Sequence, residues 1–469
     1  MELIKKLRPG IRRDVDMTEG SIFKSLVRFA LPLFVGNLFQ QLYNMVDTWV
    51  IGQTGVNGAY AAVGSVGPII NILIGFFSGL ATGAGVVISR YYGSKDDGNV
   101  RKAVHTVIAL TLVLAAVFTV LGVTMTPWIL RLMLHTDGTA ADAESVFPYA
   151  RTYLTIYFAG VAALMLYNVG AGILRAVGDS DRPFLFLVVS AVTNTVLDLL
   201  FVFVFRMGVA GVALATVIAQ AVSAVLTVIT LLRSDSVIRL DPKRIAFDGG
   251  ILGQILKIGL PAAVQMALTS FSNVFVQSYI AHVNGDQTIS LAAWTTYSKV
   301  DQLIFLPMQT LALAVTTFVG QNTGKGDVAR AKRGTLISWL MAVVTTVFLM
   351  IPILFFAPSV AWVFNRDPEV VALAGMLLRC LTPFYLFCCV NQIFSGALRG
   401  AGNSTAPMLI MLTCFVGFRQ LYLFVMSNFI SNDLLPIGFS YPAGWIACAA
   451  TMLIYYRFFF SFDKAKSRK

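Results

Sequence analysis

Apolar residues in this chain come in blocks of roughly 20 to 30, each long enough to cross a bilayer as a helix rising about 1.5 Å per residue. Short gaps between the blocks carry most of the charge. No alternation of apolar and polar residues dominates, as a β-barrel would require. The pattern predicts an all-α polytopic membrane protein with twelve transmembrane helices. They fall at about 26–52, 60–89, 103–134, 146–174, 184–206, 209–232, 253–283, 288–318, 335–364, 369–398, 406–430 and 440–462.

Two of the gaps can be laid over each other. "GILRAVGDSDRP" (Gly172–Pro183) and "GALRGAGNSTAP" (Gly396–Pro407) agree at six of twelve positions, 224 residues apart. "ALP" ending at Pro32 matches "GLP" ending at Pro261, and "NVRKA" from Asn99 resembles "DVARA" from Asp327. The expected architecture is two pseudo-symmetric six-helix bundles. Six is even, so both halves enter from the same side and relate by an axis along the membrane normal. The boundaries expected are 1–28 for an N-terminal segment, 29–232 for the first lobe, 233–252 for a linker, 253–462 for the second lobe and 463–469 for a tail. Pro32 and Pro261 sit early in the first helix of each half, where a missing backbone donor allows a conformational hinge.

Charge sets the orientation. The N-terminal tail, the alternate gaps from the second to the eleventh helix and the C-terminus hold 28 of the 35 Lys and Arg residues. The gaps after helices one, seven and eleven hold none. Basic residues collect in cytoplasmic loops, which puts both termini in the cytoplasm of a multi-pass protein of the cell (inner) membrane. The same rule accounts for a net charge of +12 without any nucleic-acid partner. The N-terminal "MELIKKLRPGIRRDVD" has no short apolar core and cleavage site, so it does not read as a signal peptide. The five cysteines all fall in apolar segments of the second half without metal spacing, and read as small hydrophobes.

Polar residues inside the blocks carry the chemistry. In "QQLYNMVDTWVIG" a carboxylate, Asp47, lies in an apolar helix with no basic neighbour in sequence. Asn37, Gln40, Asn44 and Asp47 step by three or four residues and share one helix face. Ser190, Asn194 and Asp198 do the same on the fifth helix, and Thr216, Gln220 and Ser223 on the sixth. A charge at a helix centre costs about 2.5–3.5 kcal/mol on insertion scales, so such groups face a bundle interior or a wet cavity. Asp47, Asn194, Asp198 and Thr216 are the candidate cation or proton coupling site. Their hard oxygens suit sodium, and desolvated carboxylates equally suit a proton. No other metal is expected. The competing reading is that the stripes only hydrogen-bond helix to helix.

The second half lacks this cluster. At the repeat offsets Asp47 falls on Val276, Asn194 on Phe418 and Asp198 on Tyr422. In its place stand Lys299 and Asp301, read as members of a structural ion pair with other residues or, alternatively, as a second coupling site, and Arg379 and Arg419 inside apolar blocks. Asn37, Gln40, Asn44, Gln220, Gln265 and Asp301 are the candidate lining of a substrate cavity. Phe384, Tyr385 and Met308 are further candidates for a promiscuous apolar wall, or plain packing.

"ALPLFVGNLFQQLYNMVDTWVIG", "GILRAVGDSDRP", "NTVLDLLF" and "TTFVGQNTGKGDVARAKRG" resemble the multidrug and toxic compound extrusion (MATE) family, prokaryotic and similar to its DinF-like branch. The resemblance runs over essentially the whole chain. It implies two six-helix lobes in a V shape, exporting organic cations and other drugs against an inward flow of protons or sodium. The family's acidic first-helix motif matches Asp47, its fifth-helix pair matches Asn194 and Asp198, and its sixth-helix threonine matches Thr216. Other branches carry a glutamate in the seventh helix, where this chain has Gln265, Thr269 and Ser270, and an aspartate in the tenth, where it has Arg379, Asn391 and Gln392. Coupling is therefore expected in the first half.

The function expected is a secondary active multidrug efflux antiporter working by alternating access, a monomer with small cationic drug-like substrates and no cofactor beyond the transported H+ or Na+. A flippase for a lipid-linked substrate is the alternative within transport; it favours a strongly cationic cavity, and the first-half stripes are neutral to acidic. A non-transporting membrane sensor is another. An enzyme is not expected: neither HExxH nor GxSxG occurs in the spans, and His105, His135 and His282 are scattered.

Overall fold

The computed structural model describes residues 16–52, 59–137 and 140–462, with the backbone alone at 44, 47–49, 51–52, 59–61, 63, 65, 132–137 and 140–145. No strand occurs among the described residues. Eleven helices among the described residues are each long and apolar enough to span a bilayer. Val146–Ala159 and Val161–Ala176, bent by 48° against each other, make a twelfth when taken as one span. The bend falls at Gly160, where a side chain has no room: a Cβ there would lie 2.3 Å from Cγ1 of Val217 on the sixth span.

The first three spans are Ile22–Gly52, Ala59–Gly93 and Asp97–Asp137. The bent pair is the fourth; the fifth is Asp181–Leu199, continued by a π turn over Leu200–Val204, and the sixth is Gly208–Leu232. The seventh to ninth are Gly249–Ile280, Gln287–Lys325 and Val328–Phe364. Pro383 breaks the tenth into Pro368–Leu381 and Tyr385–Gly400, joined by a 3-10 turn. Thr405–Ile430 and Leu434–Phe459 complete the set. Helices eight and nine overrun their apolar blocks by about two turns, because Lys and Arg are good helix formers and the helix stops only at Gly326 and the Asp327 cap.

The chain forms two compact units. One is Leu31–Leu256; the other combines Asp16–Ala30 with the chain from Lys257 onward. The unit boundaries fall at Ala30/Leu31 and Leu256/Lys257, each within a few residues of Pro32 or Pro261. Spans two and eight are well enclosed, with 61% and 78% of their apolar windows buried against 17% for the ninth.

The repeated loop has a physical basis in both units. Gly172 and Gly396 let the fourth and tenth spans approach the backbone of the second and eighth; a Cβ would stand 3.1 Å from the Ala81 carbonyl oxygen and 2.6 Å from that of Ala312. Gly178 (φ 89°) and Gly402 (φ 83°) adopt the left-handed conformation that ends each helix. The next amides, of Asp179 and Asn403, reach back to the Leu174 and Leu398 carbonyls at 3.0 and 2.9 Å. Ser180 and Ser404 then stand before the first turn of the following helix, where Pro183 and Pro407 need no backbone donor.

Loops expected on one side of the membrane bond to one another within each unit. Met17–Gly20 is held by the eighth-to-ninth connection: Arg330 donates to the carbonyls of Met17, Glu19 and Gly20, and Asn322 donates to Met17. The linker after span six folds onto span three, where Nε2 of His105 accepts the Asp241 amide at 3.1 Å and Lys102 pairs with Asp248 at 3.6 Å. At the other end of the second unit the Asn284 amide donates to the Asn432 carbonyl at 2.8 Å.

Candidate transport site

The polar stripes of spans five and six face each other inside the first unit. Four-residue steps put Ser190, Asn194 and Asp198 on one side of the fifth span, and all three are buried. Two bonds zip the helices together: Ser190 donates to the Ala219 carbonyl at 2.9 Å and Ser223 to the Phe186 carbonyl at 3.0 Å. These serines are the helix glue that polar residues supply in membranes.

Asn194 differs from them. Its Nδ2 lies 3.5 Å from Oγ1 of Thr216, whose own proton goes to the Val212 carbonyl at 3.0 Å. Its Oδ1 is buried with no hydrogen-bond donor among the described residues, and so is Oε1 of Gln220, one turn beyond Thr216. Asp198 is fully buried one turn below Asn194. An unfilled amide oxygen beside a hydroxyl and a buried carboxylate is a set of hard acceptors with capacity to spare. Asn194, Asp198 and Thr216 thus lie together on the seam of spans five and six. Asp47 and Asn44 have helical backbone on span one, but their side chains lie outside the described residues. Asn37 and Gln40 are half-buried on the same helix.

Gln265 and Asp301, the other two cavity candidates, belong to the second unit. Gln265 is buried against span eleven, with Nε2 2.8 Å from Sδ of Met411 and Oε1 unpartnered among the described residues. Among the described residues Asp301 has no partner for the ion pair that its charge suggested. It accepts the Tyr385 hydroxyl at 2.5 Å, and Tyr385 in turn lies 3.2 Å from the Tyr297 hydroxyl. Lys299 is exposed, because two residues along a helix it faces away from Asp301.

Around the Asp301 contact stands a stack of rings. Tyr385 and Trp445 are 5.2 Å apart, Trp445 and Tyr441 5.8 Å, and Tyr441 and Trp294 5.4 Å. Arg419 closes the series, its guanidinium carbon 4.8 Å from the Tyr441 ring centre. Met308 and Tyr385 are completely buried in this unit, so they are packing rather than an open wall.

The sequence profile of the MatE family matches residues 32–200 and 261–425, one stretch in each repeat. The chain belongs to the MatE family. It is 28% identical over 443 residues to the probable multidrug resistance protein YpnP of Bacillus subtilis, covering 94% of this chain and 96% of that one. It is 27% identical over 440 residues to the probable multidrug resistance protein NorM of Thermotoga maritima, covering 92% and 90%. Its fold superposes with a TM-score of 0.86 on the outward-facing conformation of a multidrug resistance MATE family transporter of the MOP superfamily. That pair shares 25% identity over 98% of this chain and 100% of the other.

Two features of this MatE protein were not singled out from the sequence. Tyr297 and Asp301 lie four residues apart and so share a helix face, a spacing that the sequence carries. The embrace of Arg419 by span seven had no sequence signal, because it depends on a π turn.

Proposed function

We propose that this MatE protein is a secondary active efflux antiporter, exporting organic cations and other drug-like solutes in exchange for protons or sodium by alternating access. The observation that carries the reading is the buried seam of Asn194, Asp198 and Thr216, where an amide oxygen faces inward with no donor among the described residues. A proton on Asp198, or a sodium ion shared by Asp198, Asn194 and Thr216 with Asp47 from span one, would neutralise the seam. A cationic solute competing for those charges cannot occupy it at the same time. That mutual exclusion is sufficient for exchange.

Pro32 and Pro261 are the hinges in this reading, each within a few residues of a unit boundary. In this reading the protein sits in the cell membrane as a monomer with both termini cytoplasmic; the bonding of expected cytoplasmic loops to each other within each unit supports only that those loops share one side of the membrane. It acts as a transporter and performs no chemistry on its substrate.

Efflux of ethidium from everted vesicles, with pH and sodium gradients imposed separately, tests the proposal. One of the two gradients drives dye movement in vesicles carrying the protein. Vesicles that behave like empty controls under both gradients overturn it.

A further inference from the structure

The second unit carries a positive charge where the first carries its cation-seeking seam. Counting by the loop repeat alone places Phe418 opposite Asn194. The π turn over Thr413–Phe418 adds one residue to span eleven, since each of its bonds spans five residues rather than four. Phe418 is thereby turned outward, 43% exposed, and Arg419 takes the inward position, 3% exposed. The partners correspond as well. Asn194 meets Thr216 of span six, and Arg419 lies over the ring of Tyr441 of span twelve, with the same number of residues between the members of each pair.

Every neighbour that Arg419 bonds is neutral. Its Nη2 donates to Ser272 Oγ at 2.7 Å and to Asn273 Oδ1 at 2.9 Å. Ser272 has nothing left to give: it donates to the Phe415 carbonyl at 2.7 Å and also accepts from Gln420 Nε2 at 2.9 Å. Asn273 Oδ1 is shared with the Tyr441 hydroxyl at 3.4 Å. Arg419 Nε is buried with no acceptor, and no carboxylate lies within salt-bridge distance of the guanidinium, among the described residues. An uncompensated charge at such depth is costly and marks a pathway or ligand site by default. Neutral dipoles hold the guanidinium in place, and the counter-charge is missing.

We propose that Arg419, fixed by Ser272 and Asn273 and flanked by Gln420 and Tyr441, is an oxyanion-binding site that takes the carboxylate or phosphate group of an aromatic or zwitterionic solute. The proposal deepens the efflux reading and rests on it for the route by which the solute arrives. The guanidinium supplies a charge-assisted donor, and the half-buried Tyr441 ring, 4.8 Å from the guanidinium carbon, supplies an aromatic neighbour for the solute. The first unit would select cations and the second would accept acids, in one chain.

The test is an equilibrium titration of the purified full chain, followed by tryptophan fluorescence, with no ion gradient applied. The probes are 4-aminobenzoate and its uncharged amide, with ethidium as a cation lacking any oxyanion. The wild-type protein prefers the acid over the amide by at least about tenfold, in line with a charge-assisted bond to a buried guanidinium. Arg419→Gln erases that preference and leaves ethidium binding intact. Arg419→Lys, which keeps the charge, retains part of it and serves should the glutamine variant fail to fold. A wild-type protein that binds acid and amide equally, or an Arg419→Gln protein that still discriminates, overturns the proposal. Repeating the titration in phosphatidylcholine nanodiscs with and without phosphatidylglycerol separates the sources of the oxyanion. A solute site keeps its affinity, whereas occupancy by a lipid phosphate weakens acid binding when the anionic lipid is present. Because no gradient enters the measurement, a failure of ion-driven efflux leaves this result standing, and the converse also holds.

Discussion

Tyr385 donates its hydroxyl proton to Asp301 at 2.5 Å, tying span ten to span eight inside the second unit. Both groups sit at the foot of an aromatic stack, and Tyr385 is completely buried. The half-buried Asp301 carboxylate takes the Tyr385 hydroxyl as its donor, with the Tyr297 hydroxyl 3.2 Å from that of Tyr385. Tyr385→Phe should therefore lower the stability of the detergent-purified protein by about 1–3 kcal/mol, the usual effect of stranding a buried polar group. Thermal unfolding of Tyr385→Phe, Asp301→Asn and the double variant checks this. The double variant should lose clearly less than the sum of the singles. Strict additivity would mean that the two residues do not act as a pair.

The two units end a helix in the same way with different residues, which yields a second prediction. Lys95 (φ 58°) and Gly326 (φ 88°) both adopt the left-handed conformation between two spans. In each case the following amide returns to a carbonyl five residues back, Asp96 to Tyr91 and Asp327 to Asn322. A side chain is strained in that conformation by roughly 1 kcal/mol, and glycine is not. Lys95 is exposed, so replacing it loses little else. Lys95→Gly should raise the melting temperature slightly, and Gly326→Ala should lower it. A fall for Lys95→Gly or a rise for Gly326→Ala in a side-by-side thermal scan would refute the equivalence of the two turns.

What was readable in advance follows from what each feature depends on. The spans were legible because a bilayer demands long apolar runs, and Asn194, Asp198 and Thr216 were legible because helical spacing puts them on facing stripes. The repeat was legible because Gly178 and Gly402 answer a backbone need that glycine meets without strain. The register of span eleven was not. A π turn has no distinctive composition, and a single extra residue moved Arg419 into the place that plain counting gave to Phe418. The partner of Asp301 was missed for another reason. A charged residue suggests an opposite charge, whereas Tyr385 satisfies it by hydrogen bonding from a helix 84 residues away in sequence.

The loop on the far side of the second unit should respond to acid. Asp433 accepts from the Ser431 hydroxyl at 2.7 Å and from Asn284 Nδ2 at 3.2 Å, and these bonds, in that order, hold its carboxyl below the usual range. A depressed folded-state value means that the stabilisation is present above the ordinary carboxylate pKa of about 3.9 and is lost as pH falls through the lower, folded-state value. The Asn284 amide, bonded to the Asn432 carbonyl, reports the loop. Its hydrogen-exchange protection, corrected for intrinsic rate, should be flat at neutral pH and drop on acidification. Asp433→Asn should remove the pH dependence. Protection that ignores acid in the parent protein counts against the Asp433 link.

The decisive comparison is between the acids of the two units. Asp198 lies on the seam beside the unfilled Asn194 oxygen, whereas Asp301 accepts the Tyr385 hydroxyl inside the second unit. If coupling resides in the first unit, Asp198→Asn removes the only charge on that face of span five, and Asp47→Asn removes the one on the polar face of span one. Both variants should reach the membrane normally, yet lose gradient-driven efflux by at least about tenfold, the scale set by a kcal/mol or two of coupling energy. Asp301→Asn should lose less than either. Ethidium efflux from everted vesicles, matched for protein content, measures all three together. Full transport by Asp47→Asn would remove that residue from the coupling site. A larger loss in Asp301→Asn than in Asp198→Asn would move the coupling to the second unit, because a neutral amide in place of Asp301 still accepts from Tyr385 and so tests charge with little change in packing.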